Sequence, residues 1–290
     1  MVFSGRKIMG GQRRYTLKED YFNVINTEQK AYFLGLLYAD GYNAEDKNYI
    51  SISLVEKDVD IVEKLRDVLS SDRPLYTIDF HDQNSQPQKK LHINSKKLSQ
   101  QLSKLGCKQR KTFTLKFPTE KQVPILLIRH FIRGYFDGDG SMSRYKVAKE
   151  TSDKFIVCIV STEKFCLKLS KILKKQLKIN CYLNTRFPER DNTTRQLFIS
   201  GRKQVVKFLS WIYDNSSIYL DRKYKHYIEE FKNSEPQPIT GCKGVSFNSR
   251  WNKWVAVIYH KNKKYALGGF KTFEEAQKVV ISKRQELGIL

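Results

Sequence analysis

The sequence predicts an α+β protein with a duplicated core of helices and strands and a small C-terminal domain of three strands and one helix. Two observations predict the duplication. The same order of helical and strand patterns occurs twice, and matching residues keep a nearly constant spacing. Asp40 and Asp139 are 99 residues apart, and Ile93 and Ile199 are 106 residues apart. A change of composition after residue 232 predicts the separate domain.

The first copy of the core is predicted to occupy residues 28–122. A helical pattern begins at Glu28 and stops at Gly41, and the alternating strand "YISISL" follows it. A second helix covers about Asp58 to Leu69. The pieces "LYTIDF" and "KLHI" predict further strands on either side of a polar turn, and a third helix covers about residues 95–105.

The second copy, residues 123–232, repeats this order with similar segments. A helix from about Pro124 ends at Gly140, "FIVCIV" corresponds to "YISISL", and "CYLNTRF" and "QLFIS" correspond to the later strands. Residues 1–27 are predicted to form a basic N-terminal arm that could touch phosphate. A disordered end without a role is the alternative. Residues 233–241 contain two prolines and are predicted to be a linker to the domain of residues 242–290.

Composition indicates a folded protein with a polyanionic partner. Of 290 residues 40% are hydrophobic, which is enough for a buried core, and the formal net charge is +23. A charge of this size favours nucleic acid. The cations are spread over many elements, so we expect no membrane partner. Without a Cys-x-x-Cys pair, a secretory segment or a membrane-span pattern, we expect a soluble intracellular protein, in the cytoplasm of a bacterial or phage-infected cell or in an organelle.

Two similar acidic motifs, "FLGLLYADGY" and "IRGYFDGDGS", end the first helix of each copy. Each has a glycine in mid-helix, Gly35 or Gly134. A mid-helix glycine costs about 1 kcal/mol relative to alanine, and it allows a partner helix to approach closely. We therefore expect the two helices to cross at these glycines. Their carboxyl ends would then bring Asp40 and Asp139 together.

Two carboxylates at two helix C-termini repel each other, and a bound divalent cation removes that conflict. Oxygen ligands with open coordination positions suit Mg²⁺ (or Mn²⁺), which can assist phosphodiester hydrolysis. The alternative is that Asp-Gly only terminates each helix. An EF-hand loop starting at Asp137 is excluded, because Met142 replaces the required glycine and Ala148 the bidentate glutamate.

The motifs "FLGLLYADG" and "IRGYFDGDG" resemble the two nine-residue motifs of LAGLIDADG homing endonucleases, and the resemblance covers about residues 20–232. It implies that Asp40 and Asp139 bind the catalytic metal. It also implies a pseudo-twofold duplicated αββαββα core with two saddle-shaped antiparallel sheets, one per repeat, that lie in the DNA major groove. The earlier motif aspartate corresponds to Asp137 in the second copy and is replaced by Tyr38 in the first.

Basic residues near the active centre are a further implication of the resemblance. An Arg-Lys pair occurs late in each copy, in "KQRKT" and in "DRKYKHY", so Lys111 and Lys223 are the candidate catalytic lysines by position. In so basic a chain, the alternative for either lysine is a solvated or phosphate-positioning role.

Two polar stretches between strands, "DQNSQPQKK" and "NTRFPERDNTTRQ", carry candidates for reading DNA bases. Asn, Gln and Arg side chains can make bidentate contacts with adenine and guanine. The alternative is that both stretches are polar hairpin loops. The candidates are Gln83, Asn84, Gln86, Gln88, Lys89, Asn184, Arg186, Arg190, Arg195 and Gln196.

The C-terminal segment resembles an APETALA2-type DNA-binding domain. The resemblance depends on Gly244-Val245 and on the segments "WNKW", "LGGF" and "TFEEA". It implies a three-stranded sheet that lies in the major groove. The candidate contacts are Arg250, Trp251, Lys253 and Trp254. For Trp254, packing of the sheet on the helix is the alternative.

Together these features lead us to expect a monomeric homing endonuclease that binds double-stranded DNA. This Mg²⁺-dependent endodeoxyribonuclease would make a double-strand cut at a long site. The sequence leaves open whether it resides in an intron, an intein or a free-standing gene. The alternative is an RNA-splicing maturase, or a DNA-binding regulator that does not cleave. An intact aspartate in both motifs favours the enzyme.

Overall fold

The computed structural model describes residues 14–79, 86–146, 153–185, 194–233, 242–248, 250–261 and 263–289. The chain divides into two compact units, Met1–Asn233 and Ser234–Leu290. The first unit contains both copies of the repeated pattern, and the second contains the small domain. The candidate active residues all lie in the first unit.

The first half of unit 1 begins with the buried helix α1, which Thr27 caps by accepting a hydrogen bond from the Lys30 amide. Ser95 caps α3 in the same way through the Leu98 amide. These caps satisfy amide groups that a helix leaves free at its N-terminus. The elements are α1 (Glu28–Ala39), β1 (Gly41–Ala44), β2 (Tyr49–Val55), α2 (Val59–Val68), β3 (Tyr76–Ile78), β4 (Gln88–Asn94) and α3 (Lys96–Lys104).

The second half repeats this order and adds a C-terminal helix. Thr162 caps α5 through the Phe165 amide, and α7 continues into a short π-helix, Ile228–Lys232. The elements are α4 (Ile128–Asp139), β5 (Gly140–Tyr145), β6 (Lys154–Thr162), α5 (Glu163–Leu177), β7 (Tyr182–Thr185), β8 (Thr194–Ser200), α6 (Arg202–Tyr213) and α7 (Asp221–Tyr227).

Each half forms a four-stranded antiparallel sheet with the same strand order, β1-β2-β4-β3 in sheet 1 and β5-β6-β8-β7 in sheet 2. The registers also correspond. Ile52 lies opposite Leu91, and Ile159 lies opposite Leu197. The predicted duplicated α+β fold is therefore confirmed. Equivalent residues are 107 apart between β2 and β6, and 106 apart between β4 and β8.

The two faces of each sheet differ, because side chains alternate along a strand. In sheet 1 the buried face carries Ile50 and Ile52, and in sheet 2 it carries Val157 and Ile159. These residues pack with the helices in one continuous core. We call the opposite face of each sheet its outer face. Exposed tyrosines, among them Tyr42, lie on it.

Unit 2 is a three-stranded antiparallel sheet, ordered β11-β10-β9, with one helix packed on it. Its small core contains Ala256 from the sheet and Ala276 and Val280 from the helix. Thr272 caps the helix in a capping box with Glu275. Three strands and a helix were predicted for this segment, and the prediction is confirmed. The elements are β9 (Val245–Asn248), β10 (Lys253–His260), β11 (Lys263–Phe270) and α8 (Phe273–Glu286).

None of the helices in the described part of the chain is both long enough and apolar enough to span a membrane.

Candidate active site

Helices α1 and α4 cross at Gly35 and Gly134, where the two backbones touch. A Cβ atom at Gly35 would lie 2.0 Å from the Phe131 carbonyl oxygen, and one at Gly134 would lie 1.9 Å from the Tyr32 carbonyl oxygen. In each helix the contacted carbonyl precedes the glycine by three residues, so the crossing is symmetric. A side chain at either glycine would push the helices apart.

The crossing places the carboxyl ends of both helices side by side. A Cβ atom at Gly138 would lie 2.3 Å from the Ala39 Cβ and 2.5 Å from the Asp40 Oδ2. The Asp40 carboxylate therefore lies against the residue that precedes Asp139. Burial, followed by the negative charge of Asp139, raises the pKa of Asp40 to about 6. The structure thus brings the two predicted carboxylates together.

Each candidate lysine reaches the carbonyl of the glycine that follows a candidate aspartate. The Lys111 ammonium donates to the Gly41 carbonyl oxygen, and the Lys223 ammonium donates to the Gly140 carbonyl oxygen at 2.5 Å. Lys223 is buried, and it also donates to the Phe136 carbonyl oxygen at 2.7 Å. Burial lowers the pKa of Lys223 to about 8. Both lysine charges act on Asp40 and lower its pKa, which partly offsets the repulsion from Asp139.

The donor set fits a divalent cation that keeps part of its own water shell. Across the described residues, there is no group of three or more His, Cys, Asp and Glu side chains that could hold a metal ion. Asp40 and Asp139 offer hard oxygen ligands from two elements. Mg²⁺ commonly binds through one or two carboxylates, with water and substrate phosphate completing its coordination. The two carboxylates therefore fit Mg²⁺ better than a cation that needs a full protein cage.

Asp137, the earlier motif aspartate, is buried, and its hydrogen bonds give it a structural role. Its carboxylate accepts hydrogen bonds from the Tyr32 hydroxyl at 2.8 Å, the Tyr213 hydroxyl at 2.6 Å and the Leu220 amide at 2.8 Å. Tyr38, its counterpart in the first half, is also buried and donates to the Leu105 carbonyl oxygen. Both side chains fasten a motif helix to a neighbouring segment. Tyr38 in place of an aspartate therefore leaves the pair of Asp40 and Asp139 unchanged.

The sequence interpretation missed a buried ion pair beside the crossing. Arg133 is fully buried, and it donates to the Glu28 carboxylate at 2.6 Å and to the carbonyl oxygens of Ile218 and Ile212 at 2.7 and 2.8 Å. The Glu28 carboxylate belongs to α1, so the pair joins the two crossing helices. An arginine directly before the crossing glycine, in a helix with apolar neighbours, was the available signal.

The candidate DNA contacts fall on two different faces of the sheets. Gln88 lies on the outer face of sheet 1, and Asn184 and Gln196 lie opposite each other on the outer face of sheet 2. Lys89 and Arg195 point to the helix-covered faces. The Lys89 ammonium donates to the Thr77 hydroxyl at 2.8 Å, and the Arg195 guanidinium lies 3.5 Å from the Glu163 carboxylate.

Strand alternation therefore places Lys89 and Gln88 on opposite faces of sheet 1, and Arg195 and Gln196 on opposite faces of sheet 2. The DNA contacts of all four side chains stay predictions. The same alternation places Lys90 and His92 on the outer face of sheet 1, although neither was a candidate. Gln86 is exposed just before β4. The candidates Gln83, Asn84, Arg186 and Arg190 lie outside the described residues.

In unit 2 the candidate contacts differ in exposure: one packs against aromatic rings and three are exposed. Trp254 packs edge-on between Phe247 and Phe273, with ring centroids 5.2 and 5.1 Å away. Packing, the alternative for Trp254, therefore describes its surroundings, and its role as a base contact stays a prediction. Trp251 is 64% exposed. Arg250 and Lys253 are exposed as well.

A family model matches part of the chain. Residues 127–213 match the model of the LAGLIDADG-like domain, which includes α4, its acidic motif and sheet 2. A curated protein, the replication factor C small subunit of Methanocaldococcus jannaschii, is 24% identical over 233 residues, which are 78% of this chain. The match spans only 11% of that relative's length.

Several solved structures are similar to the chain, at low identity. The homing endonuclease I-WcaI bound to its DNA recognition sequence is 14% identical with a TM-score of 0.49, over 71% of this chain and 91% of that one. The I-LtrWI LAGLIDADG homing endonuclease bound to target DNA is 13% identical with a TM-score of 0.46, over 74% and 89%. The N-terminal LAGLIDADG domain of DUF199/WhiA is 20% identical with a TM-score of 0.42, over 72% and 92%.

Proposed function

We propose that this chain is a site-specific homing endonuclease that makes a divalent-metal-dependent double-strand cut in DNA. The observation that carries the proposal is the helix crossing. It places Asp40 beside the residue that precedes Asp139, and a lysine ammonium contacts the carbonyl of the glycine that follows each aspartate. Two equivalent sets of charged groups suit the hydrolysis of two DNA strands.

Asp40 and Asp139 would hold Mg²⁺ (or Mn²⁺), which supplies Lewis acidity and an activated water when it is bound. The protein's own groups have separate tasks. The carboxylates fix the position of the cation at the end of the crossing helices. Lys111 and Lys223 place positive charge beside the carboxylates, where it would offset the charge of a scissile phosphate and orient water.

The rest of the chain supplies DNA binding in this proposal. The outer faces carry side chains that can donate to base edges, and the net charge of +23 provides attraction to phosphate. The basic side chains of the predicted arm, residues 1–27, and unit 2 would add further contacts, the latter through Arg250, Trp251 and Lys253. Tyr21, Phe22 and Ile25 of the predicted arm pack in the core instead. The chain would act as a monomer, because it contains both acidic motifs.

The proposal is tested with Asp40→Asn and Asp139→Asn variants. A library of randomised duplexes is first incubated with the unaltered protein and Mg²⁺, and the new ends are sequenced to find the site. On that site we expect each single variant to lose cutting of at least one strand while it keeps binding. A fully active Asp40→Asn variant would contradict the proposal. Sequence-specific binding without any cutting by the unaltered protein would favour the regulator.

A further inference from the structure

The outer faces of the two sheets have different chemistry at equivalent positions. In β2 and β6 the equivalences follow from the matching registers, and Ser51 and Ser53 of sheet 1 are replaced by Cys158 and Val160 of sheet 2. Tyr49, at the start of β2, is likewise replaced by Ile156. Each of these changes removes a hydroxyl group.

The fourth strand of each half also differs in side-chain chemistry at equivalent positions. Lys90 of β4 is replaced by Gln196 of β8, and His92 is replaced by Phe198. Lys90 lies 6.0 Å from the centre of the Tyr76 ring, and Asn184 takes the place of Tyr76 in sheet 2. Sheet 1 therefore presents a cation and an imidazole where sheet 2 presents carboxamides and a phenyl ring.

The aromatic contacts on these faces keep the rings in place. The His92 ring stacks on Tyr49 with centroids 4.4 Å apart, and the Phe198 ring stacks on Tyr182 at 5.1 Å. Each pair includes a tyrosine hydroxyl, and the pairs differ because the first presents imidazole nitrogens where the second presents a phenyl ring. A stacked pair holds its side chains in fewer rotamers, so its chemistry reaches a partner from a fixed position.

Base edges in the major groove differ in which of these side chains they bind. Lysine donates to the guanine O6 and N7, glutamine and asparagine pair with the adenine N6 and N7, and apolar side chains contact the thymine methyl group. Sheet 2 combines two carboxamides, Asn184 and Gln196, with apolar groups at Ile156, Val160 and Phe198. This set matches A·T pairs, whereas Lys90, at the position equivalent to Gln196, matches guanine. The contrast is confined to these equivalent positions, because Gln88 of sheet 1 is also a carboxamide and Lys154 of sheet 2 is also a cation.

We infer that the DNA target has two unequal half-sites, an A·T-rich one read by sheet 2 and one with guanine at a defined position read by Lys90 of sheet 1. The inference rests on the proposed function for the DNA-binding role of the outer faces. It goes beyond that function by specifying the base composition on each side of the cut.

A reciprocal exchange of equivalent residues tests the inference. Binding selection from randomised duplexes is performed without divalent metal, using the unaltered chain and the variants Lys90→Gln and Gln196→Lys. Lys90→Gln should lose about tenfold preference for guanine at one position, and Gln196→Lys should gain a similar preference for guanine at one position in the opposite half-site. Lys89→Gln is the matched control. Its side chain points to the helix-covered face, so the selected bases should not change.

Selected half-sites of equal A·T content would overturn the inference, and so would both exchanges acting on the same half-site. Cleavage of the selected sites is then measured separately with Mg²⁺. Unequal half-sites without cleavage would support the inference while the nuclease proposal fails. Cleavage of a site with two equally A·T-rich halves would support the nuclease proposal and overturn the inference.

Discussion

Arg222 of the second repeat forms a bidentate ion pair with Asp58 of the first repeat. The guanidinium Nε and Nη2 lie 3.1 and 2.9 Å from the two carboxylate oxygens of Asp58. The Asp58 side chain is 6% exposed and the Arg222 side chain is 48% exposed. Arg222 directly precedes Lys223, so this pair fixes the start of α7 against the first repeat. In the second repeat, Phe165 occupies the position equivalent to Asp58 and packs on Tyr135.

The first prediction is that Asp58→Asn destabilises unit 1. The substitution removes a buried charge that has an arginine partner, and solvent at Arg222 screens part of the effect. We expect a loss of about 1–2 kcal/mol in the free energy of unfolding, measured by urea denaturation. Asp67→Asn is the control, because Asp67 pairs with Arg66 on the surface of α2. It should change stability by less than about 0.5 kcal/mol. Equal losses in both variants would contradict a role for the ion pair between repeats.

The second prediction concerns the helix crossing. Gly35→Ala and Gly134→Ala should each force the backbones apart, because the added Cβ would overlap a carbonyl oxygen of the opposite helix. We expect a loss of at least about 3 kcal/mol, or failure to fold, since the contacted atoms are backbone and cannot rotate away. Differential scanning calorimetry would show a large drop in the melting temperature of unit 1.

Gly269→Ala is the matched control for the crossing glycines. A Cβ atom there would meet its nearest neighbour, a Lys253 side-chain carbon, at 3.6 Å, which is ordinary contact. The melting transition of unit 1 should remain unchanged in this variant. A mild effect of Gly35→Ala, comparable to that of the control, would contradict the close approach of the two helices.

The third prediction uses the raised pKa of Asp40. The unfolded chain releases this proton near pH 3.8 and the folded chain near about 6. Between these values the unfolded state binds fewer protons, so the folded state loses stability as pH rises. Asp40→Asn should therefore stabilise the metal-free protein above about pH 6, by up to about 3 kcal/mol, with a smaller gain near pH 4.5. Thermal unfolding in EDTA measures this difference.

Adding Mg²⁺ should reduce the advantage of Asp40→Asn, because the cation stabilises only the protein with both carboxylates. Asp67→Asn again serves as the control and should show no such dependence on Mg²⁺. A metal-free Asp40→Asn variant that is less stable than the unaltered protein at about pH 7.5 would contradict the crowding of the two carboxylates.

The fourth prediction separates the structural aspartate from the candidate metal ligands. Asp137→Asn keeps the size of the side chain but replaces one acceptor oxygen by a donor, although three donors converge on this carboxylate. We expect a loss of about 2–4 kcal/mol in stability. Cutting per folded molecule should persist below the melting temperature, in contrast to Asp40→Asn. A stable Asp137→Asn variant that binds DNA without cutting it would reverse these assignments.

Much of the fold could be predicted because local patterns repeat along the chain. The 99-residue spacing of Asp40 and Asp139, the alternation in "YISISL" and "FIVCIV", and the glycines in both motif helices together predicted two similar α+β halves. The strand orders and registers confirm the fold. The catalytic and DNA-binding roles of individual residues stay predictions, to be decided by the experiments above.

The sequence by itself determined most of the helices and strands and which residues are equivalent between the halves, because apolar period and glycine position are local properties. It did not predict the short strands β1 and β5 or helix α7. Only the tertiary structure decided which long side chains meet. Arg133 with Glu28 and Arg222 with Asp58 pair over separations of 105 and 164 residues. Likewise, Trp254 packs against α8, and Lys89 and Lys90 separate onto opposite faces. Such contacts depend on where the sheets and helices come to lie, and a flexible charged side chain carries no periodic signal of its partner.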